Sequence, residues 1–369
     1  VITSFVFWSS LLNSTEVDLK GAIVRPVRLA FVAVMAAAIV VGPVTTSAAA
    51  SEVAACTWKS SPLPLPAGVT KARATASDND GGYAGSLIDG ISDVVYWKNG
   101  KVIEYGQVPA WSGYGVFVTD VNRSGVIVGY SAPTMRGGYV AFRSVGTKIE
   151  PLPVPAGTYS STATGVNDRG DIVGHYNPKF GERARAVRWP ADRPGQMVEL
   201  TGLPTGNWTN SEDVDEDGTV LVVETTGTGS TSSFLWRAGV VTKLVAPVAA
   251  VDVNAHAISA GRVVGSITLS GGGSDNLRAV EWDAAGNGRV LSDGYTAESV
   301  NRHGVVVGLP RNFEPGALVW RGGALEARIP EGDEGQMSFG PIGDDGGIPA
   351  TLSIGDVTGT ETPMVFRCS

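Results

Sequence analysis

The chain has 369 residues, 43% of them hydrophobic, with a formal net charge of -8 and a pI near 5.0. That length fits one large domain without requiring a second. The acidic balance argues against unspecific nucleic-acid binding, which depends on Lys and Arg neutralising phosphates.

Residues 1–50 read as an upstream extension and a secretory signal peptide. Lys20, Arg25 and Arg28 precede an apolar run over 29–44, and the small residues Ser47, Ala48, Ala49 and Ala50 come next. This is the charged, apolar and small-residue order of a cleaved leader. The run is shorter than the ~20 residues that cross a bilayer as a helix. Cleavage near Ala50 is therefore favoured over a membrane anchor, and no membrane span is expected. Glu16 and Asp18 are foreign to such a leader, and a start near Val24 removes them.

Two cysteines, Cys56 and Cys368, bracket the rest of the chain. An even cysteine count in an exported protein points to a disulfide. A competing reading takes Val53-Ala54-Ala55-Cys56 as a lipobox, with Cys56 lipidated and the protein anchored at the cell surface. The separation of Cys56 from the apolar run weighs against it.

Residues 51–369 carry a repeat. Asn or Asp is followed three residues later by Gly, and often by a second Gly four residues beyond, as in Asn122 to Gly125 to Gly129, Asn167 to Gly170 to Gly174 and Asn301 to Gly304 to Gly308. Weaker copies centre on Gly81, Gly218, Gly261 and Gly346. Seven anchor glycines at a period of roughly 45 residues predict an all-β, seven-bladed β-propeller. Asn or Asp closes a turn with its own side chain, and Gly accepts a positive φ, so each anchor predicts a hairpin. The second Gly lies inside a strand, where it marks a bulge or a close backbone approach.

The unit over 151–200 shows the expected blade. Strands are predicted over 161–166, 171–176, 186–189 and 197–200, with the hairpin at 167–170. Runs such as Val126-Ile127-Val128 and Val305-Val306-Val307 suit strands covered on both faces. A Trp ends the third strand in several units, as Trp97, Trp189, Trp236, Trp282 and Trp320. Ser144 stands there in the second unit, and Cys368 takes that slot in the seventh. The chain then ends one strand short. Residues 57–66 resemble the segment just past the Trp in other units, so they are expected to supply the missing strand and bring Cys56 beside Cys368 for a disulfide. An open seventh unit would leave an unpaired edge.

These two phrases in fixed order, with Ala141-Phe142-Arg143-Ser144 among the third-strand copies, resemble the HAF-repeat extracellular proteins of bacteria over residues 56–368. The resemblance implies secretion and a repeat fold, and brings no catalytic residues with it. This chain lacks the His of the motif. Val222 replaces a second Gly, residues 257–261 lack the turn Asn, and Gly343 stands in an Asn position.

Three sets of residues are candidate sites. Asp213, Asp215, Asp217 and Gly218, with Glu224 beyond, match an EF-hand loop. The β-branched run over 219–223 should be extended, which carries Glu224 too far away. What survives is a reduced calcium site from the carboxylates of Asp213, Asp215 and Asp217, the Thr219 carbonyl and water, or else an acidic version of the ordinary turn. The in-register Trp set reads as packing between blades. Trp111 and Trp208 lie outside that register, in expected loops, and are the candidates for ligand contact. His175, His256 and His303 fall in different units without metal-ligand spacing.

The expectation is a monomeric, secreted, non-catalytic binding or scaffold module. Its ligand would be a glycan, peptide or protein at the loop face, with calcium as the only cofactor candidate. The rival is a polysaccharide lyase or glycosidase, since fold alone does not choose. An enzyme of the latter kind needs two carboxylates about 5–10 Å apart.

Overall fold

The computed structural model describes residues 57–89, 94–106, 115–133, 137–271, 274–311, 314–330, 335–355 and 359–369. Residues 52–369 form one compact unit. The expected leader and Cys56 lie outside the described residues, as does Trp111.

Seven four-stranded antiparallel sheets make the blades. Blade I is β2 (Ala72–Ser77), β3 (Tyr83–Leu87), β4 (Val94–Lys98) and β5 (Lys101–Gly106). Blade II is β6 (Val116–Val121), β7 (Ile127–Ser131), β8 (Val140–Val145) and β9 (Lys148–Pro151). Blade III is β10 (Ser160–Val166), β11 (Ile172–Asn177), β12 (Arg185–Trp189) and β13 (Val198–Glu199). Blade IV is β14 (Trp208–Val214), β15 (Val220–Thr225), β16 (Thr231–Arg237) and β17 (Val240–Lys243). Blade V is β18 (Asp252–Ser259), β19 (Arg262–Thr268), β20 (Leu277–Trp282) and β21 (Gly288–Val290). Blade VI is β22 (Gly294–Val300), β23 (Val305–Pro310), β24 (Ala317–Arg321) and β25 (Ala324–Ile329).

Blade VII draws on both ends of the chain. Its strands β26 (Gln336–Phe339), β27 (Ile348–Ile354) and β28 (Thr360–Cys368) are joined by β1 (Trp58–Pro62). β1 runs antiparallel to β28, with Trp58 opposite Cys368 and Pro62 opposite Met364. Thr57 and Ser369 continue the ladder by exchanging backbone hydrogen bonds of 3.2 and 3.1 Å. Blade VII also meets blade I, through Ala74 N–H to Thr351 Oγ1 at 3.2 Å and Arg367 Nη2 to the Tyr83 hydroxyl at 2.6 Å.

The repeat phrase explains the inner half of each blade. All seven anchor glycines adopt φ between 72° and 87°, the left-handed conformation that closes the hairpin. In blade II the Gly125 N–H reaches the Asn122 carbonyl at 2.8 Å, and the Asn122 N–H reaches the Val126 carbonyl at 3.1 Å. The second glycine faces a bulge in the first strand. A Cβ on Gly129 would stand 2.0 Å from the Phe117 carbonyl oxygen, and one on Gly174 2.0 Å from that of Thr162. Each of the first six blades carries this one-residue bulge, with Thr75, Thr119, Thr164, Glu212, His256 and Glu298 as the extra residues.

The core lies between blades rather than within them. One cluster, for example, joins Val128 and Ala141 of blade II to Ala163, Val187 and Trp189 of blade III. The recurring Trp residues are buried in such seams. Each donates its indole N–H to a backbone carbonyl in the segment linking the preceding blade. Trp97 reaches Pro64 and Trp189 reaches Pro153 at 2.7 Å, Trp236 reaches Thr201 and Trp282 reaches Val245 at 2.8 Å, and Trp320 reaches Ser292 at 2.9 Å. The ring is thus stapled seam by seam, and the indole keeps its polar handle satisfied.

One expected register shifts. The Trp slot pairs with the residue two past the anchor glycine, as Trp189 does with Ile172 and Trp320 with Val306. In blade VII that partner is Ile348, and the residue opposite it is Phe366, not Cys368. Phe366 is buried and packs on Phe339. Cys368 lies two residues further, opposite Trp58.

Candidate ligand site on the loop face

The two ends of the ring differ in chemistry. At the hairpin end, the first turn residue links neighbouring blades. Asn122 Oδ1 accepts the Val126 N–H at 3.0 Å, while its Nδ2 donates to the Asn167 carbonyl at 2.9 Å. Asn167 repeats this toward Asp215, and Asn301 toward Gly343. The second turn residues form a charged network over the axis. Arg123 bridges Asp168 at 3.0 Å and reaches Asp344 at 2.5 Å, and Arg302 also pairs with Asp344. Arg123 and Asp344 belong to blades II and VII, with blade I between them, so this pair spans the hairpin mouth.

The acidic turn of blade IV belongs to the same scheme. Asp215 Oδ1 accepts from Glu216 and Ala260 at 2.8 and 3.0 Å, and Oδ2 accepts from Gly261 at 2.7 Å. Blade V presents N–H groups here because its hairpin is the tighter Ala260-Gly261 turn, both residues at positive φ. A carboxylate therefore suits the position where Asn serves elsewhere. Asp213 accepts from Val214 and Ile258 at 2.7 and 2.8 Å. Asp217 accepts from Thr219 at 2.8 Å and pairs with Arg237 at 2.9 Å, and the Thr219 carbonyl receives the Asp215 N–H. The four sequence candidates for calcium are thus engaged by N–H donors and one guanidinium. Among the described residues no group of three or more His, Cys, Asp or Glu is placed to hold a metal ion. The acids serve as turn and inter-blade fasteners instead.

Burial pushes Asp213 well above the usual carboxylate range and Asp120, its counterpart in blade II, up to about 7. Both carboxylates bridge to the next blade, Asp120 through the Val166 N–H at 2.8 Å.

The opposite end carries the links between blades and the loops between second and third strands. Here blades II, III and IV form a trough enclosing about 780 Å³. Its aromatic wall is Tyr130, Tyr139, Tyr159, Phe180 and Trp208. Phe180 is 81% exposed and Tyr139 45%. Tyr130 and Tyr139 lie 4.9 Å apart between ring centres, and Tyr159 meets Phe180 edge-on at 5.2 Å. The floor is polar, from Thr162, Thr164, His175 and Asn177.

Local backbone chemistry fixes these side chains. The Tyr139 N–H donates to Ser160 Oγ at 2.9 Å, and the Tyr139 carbonyl accepts the Ser161 N–H at 2.8 Å. Gly138 allows this contact, since a Cβ there would stand 1.9 Å from the Tyr159 carbonyl oxygen. Tyr159 is held by its own N–H to the Asn177 carbonyl at 3.0 Å. His175 lies 3.0 Å from Thr162 Oγ1, and burial lowers its pKa to about 4, so the imidazole is neutral at physiological pH.

Trp208 stands between this trough and a second cavity of about 720 Å³, and lines both. Arg183 lies over the Trp208 ring at 5.3 Å and lines only the second cavity, so the ring face it covers is turned to that side. The second cavity also holds the Arg185–Glu199 pair at 3.3 Å. Of the two out-of-register Trp candidates, Trp208 opens strand β14, opposite Thr225, rather than lying in the expected loop, and forms a wall of the trough, while Trp111 lies outside the described residues. His256 is a bulge residue in blade V, and His303 is a turn residue whose N–H meets Asn301 Oδ1 at 3.1 Å.

Tyr130, Tyr139, Tyr159, Phe180 and His175 escape a reading of the sequence by repeats, because they come from separate units. A usable signal existed in the departures from the repeat. The position after the second glycine is Ser86, Ser266 or Leu309 in blades I, V and VI, but Tyr130 and His175 in blades II and III.

No protein-family model matches the chain, and no curated protein sequence matches it. Solved structures match in fold. A streptogramin B lyase superposes with a TM-score of 0.50 at 12% identity, covering 85% of this chain and 98% of that one. One of two prolyl endopeptidases superposes at 0.59 and 14% identity, over 77% of this chain and 46% of that one. Prolyl oligopeptidase B from Galerina marginata gives 0.55 at 12% identity, over 80% and 48%. The chain spans about half the length of the two peptidases. At these identities the likeness establishes the propeller and nothing of the chemistry.

Proposed function

We propose that this chain is a secreted, non-catalytic binding module that takes its ligand in the aromatic trough of blades II to IV. The observation that carries the reading is the convergence of five aromatic side chains, with Phe180 and Tyr139 exposed, around one polar-floored cavity. Trough sites of this kind bind through aromatic walls and a few placed polar groups. Glu182 is the only carboxylate among the described residues lining the trough. A lone carboxylate in the trough supports the binding reading over a glycosidase, which needs a pair.

The leader-like segment and the resemblance to HAF-repeat proteins support export. A Cys56–Cys368 disulfide fits the same picture, since Thr57 exchanges backbone hydrogen bonds with Ser369 and Trp58 stands opposite Cys368. Alkylation should find no free thiol in the exported protein before reduction and both cysteines free after it. Mass spectrometry of the mature N-terminus distinguishes a free, disulfide-bonded Cys56 from a lipidated one.

The function is tested by retention of the exported protein on immobilised extracellular polymers, polysaccharide and polypeptide, comparing wild type with Trp208→Ala. Retention lost in Trp208→Ala, without release of products from the polymer, supports the module. Product release by the wild type overturns the non-catalytic reading.

A further inference from the structure

We propose that the trough recognises an uncharged glycan in extended form, with one sugar ring seated on the free face of Trp208 and the chain continuing into the second cavity. This inference rests on the trough being the ligand site, and adds what occupies it.

The floor has the chemistry of a partner for hydroxyl groups. The neutral imidazole of His175 offers both a donor and an acceptor. Asn177 donates its Nδ2 to the Glu182 carbonyl at 3.0 Å, which orients its Oδ1 as an acceptor. The hydroxyls of Tyr130, Tyr139 and Tyr159 make no hydrogen bond to other described residues. Sugar hydroxyls both donate and accept, so they satisfy such mixed groups without bringing a charge into a low-dielectric site.

Charged ligands are poorly served by the same walls. Arg183 sits on Trp208 and Arg185 pairs with Glu199, which also accepts the Tyr176 hydroxyl. Glu182 is the one ionic group shared by both cavities, and Lys179 stands 3.8 Å from it. A polyanion finds no unengaged cation along the described trough. An extended peptide gains affinity chiefly by adding to an open strand edge; β10 is an edge strand beside the trough, so a peptide is the competing occupant that the test below includes.

The geometry also favours length. The two cavities share Gly181, Glu182 and Trp208 and flank a single aromatic partition. Arg183 covers the outer face of that ring, which holds the inner face for stacking. A single sugar fills one side only; an oligomer crosses the partition.

The test is calorimetric titration of the exported protein with neutral gluco- and manno-oligosaccharides of about two to about six units, with polygalacturonate oligomers and with acidic and basic peptides of similar length. Neutral oligomers are expected to bind, with affinity rising about tenfold or more from the shortest to the longest. Their affinity should change less than about threefold between low and high salt. Trp208→Ala should lose about tenfold or more, Trp208→Phe should retain most binding, and Tyr139→Ala should weaken it while melting at the wild-type temperature. Preference for the charged oligomers, or neutral binding that survives Trp208→Ala, overturns the proposal. Peptide binding that Trp208→Ala abolishes overturns it while leaving the binding-module reading in place. No binding dependent on Trp208 by any member of the panel sinks both.

Discussion

The hairpin end and the loop end of this ring follow opposite rules. At the hairpin end the first turn residues Asn122, Asn167, Asp215 and Asn301 each reach the next blade, and the Arg123–Asp344 bridge spans two seams. At the loop end of blades II to IV, aromatic faces stand in solvent and the floor groups have capacity to spare. The repeat holds one end constant, and that constancy frees the other end to vary. What the difference teaches is where to look in a repeat protein: departures from the consensus mark the site, and the consensus marks the fasteners.

The sharpest way to break the comparison is to cut a seam fastener in a blade that does not line the trough. Trp282→Ala removes a fully buried indole and its bond to Val245, and should cost about 3–5 kcal/mol in denaturant unfolding with ligand binding unchanged in the folded fraction. A loss below about 1 kcal/mol would show that the seams are not held in this way.

His175 sharpens the comparison by pH. Its folded pKa, about 4, lies below the ordinary 6.5. The folded state therefore binds fewer protons between those values, and stability is present in full above 6.5 and lost as pH falls toward 4. The loss should be on the order of 3 kcal/mol, and His175→Gln should flatten melting curves over that window. A wild type and variant with parallel pH profiles would deny the burial of the imidazole.

Asn301→Ala removes an amide that serves its own turn and the Gly343 carbonyl, and should cost about 2 kcal/mol by leaving buried backbone groups unpaired. The smallest effect belongs to Arg123→Ala. Arg123 is itself 35% exposed, and the buried Asp344 keeps Arg302 and its N–H as partners, so the expected loss is about 1 kcal/mol or less and fades in high salt. If Arg123→Ala outweighs Asn301→Ala, the charged network rather than the amide ladder holds the hairpin end.

Much of the fold was legible because it is local and repeated. The Asn-to-Gly spacing encodes a hairpin in each unit, and seven hairpins fix the number of blades. The packing role of Trp97, Trp189, Trp236, Trp282 and Trp320 was readable from their common register. The seventh unit misled, because counting the Trp slot from the chain end lands on Cys368; counting from Gly346 places Phe366 there. The acidic turn stood open between a calcium site and an ordinary turn for a different reason. Asp215 answers the N–H groups of Ala260 and Gly261 in the neighbouring blade, and no pattern within its own unit shows that. The trough shared this difficulty: Trp208 stood out alone, while Tyr139, Tyr159 and His175 become its companions only when two units fold side by side.

The seventh sheet sets the order in which this protein can be finished. Residues 58–62 leave the ribosome long before their partner strand, residues 360–368. For the whole of synthesis between them, the first strand has nowhere to dock. Its composition suits the wait: Lys59, Ser60, Ser61 and Pro62 are polar or hydrogen-bond-poor, the residue types that discourage a lone strand from sticking to strangers. Losing residues 360–368 would therefore leave the strand at 58–62 without the partner it waited for.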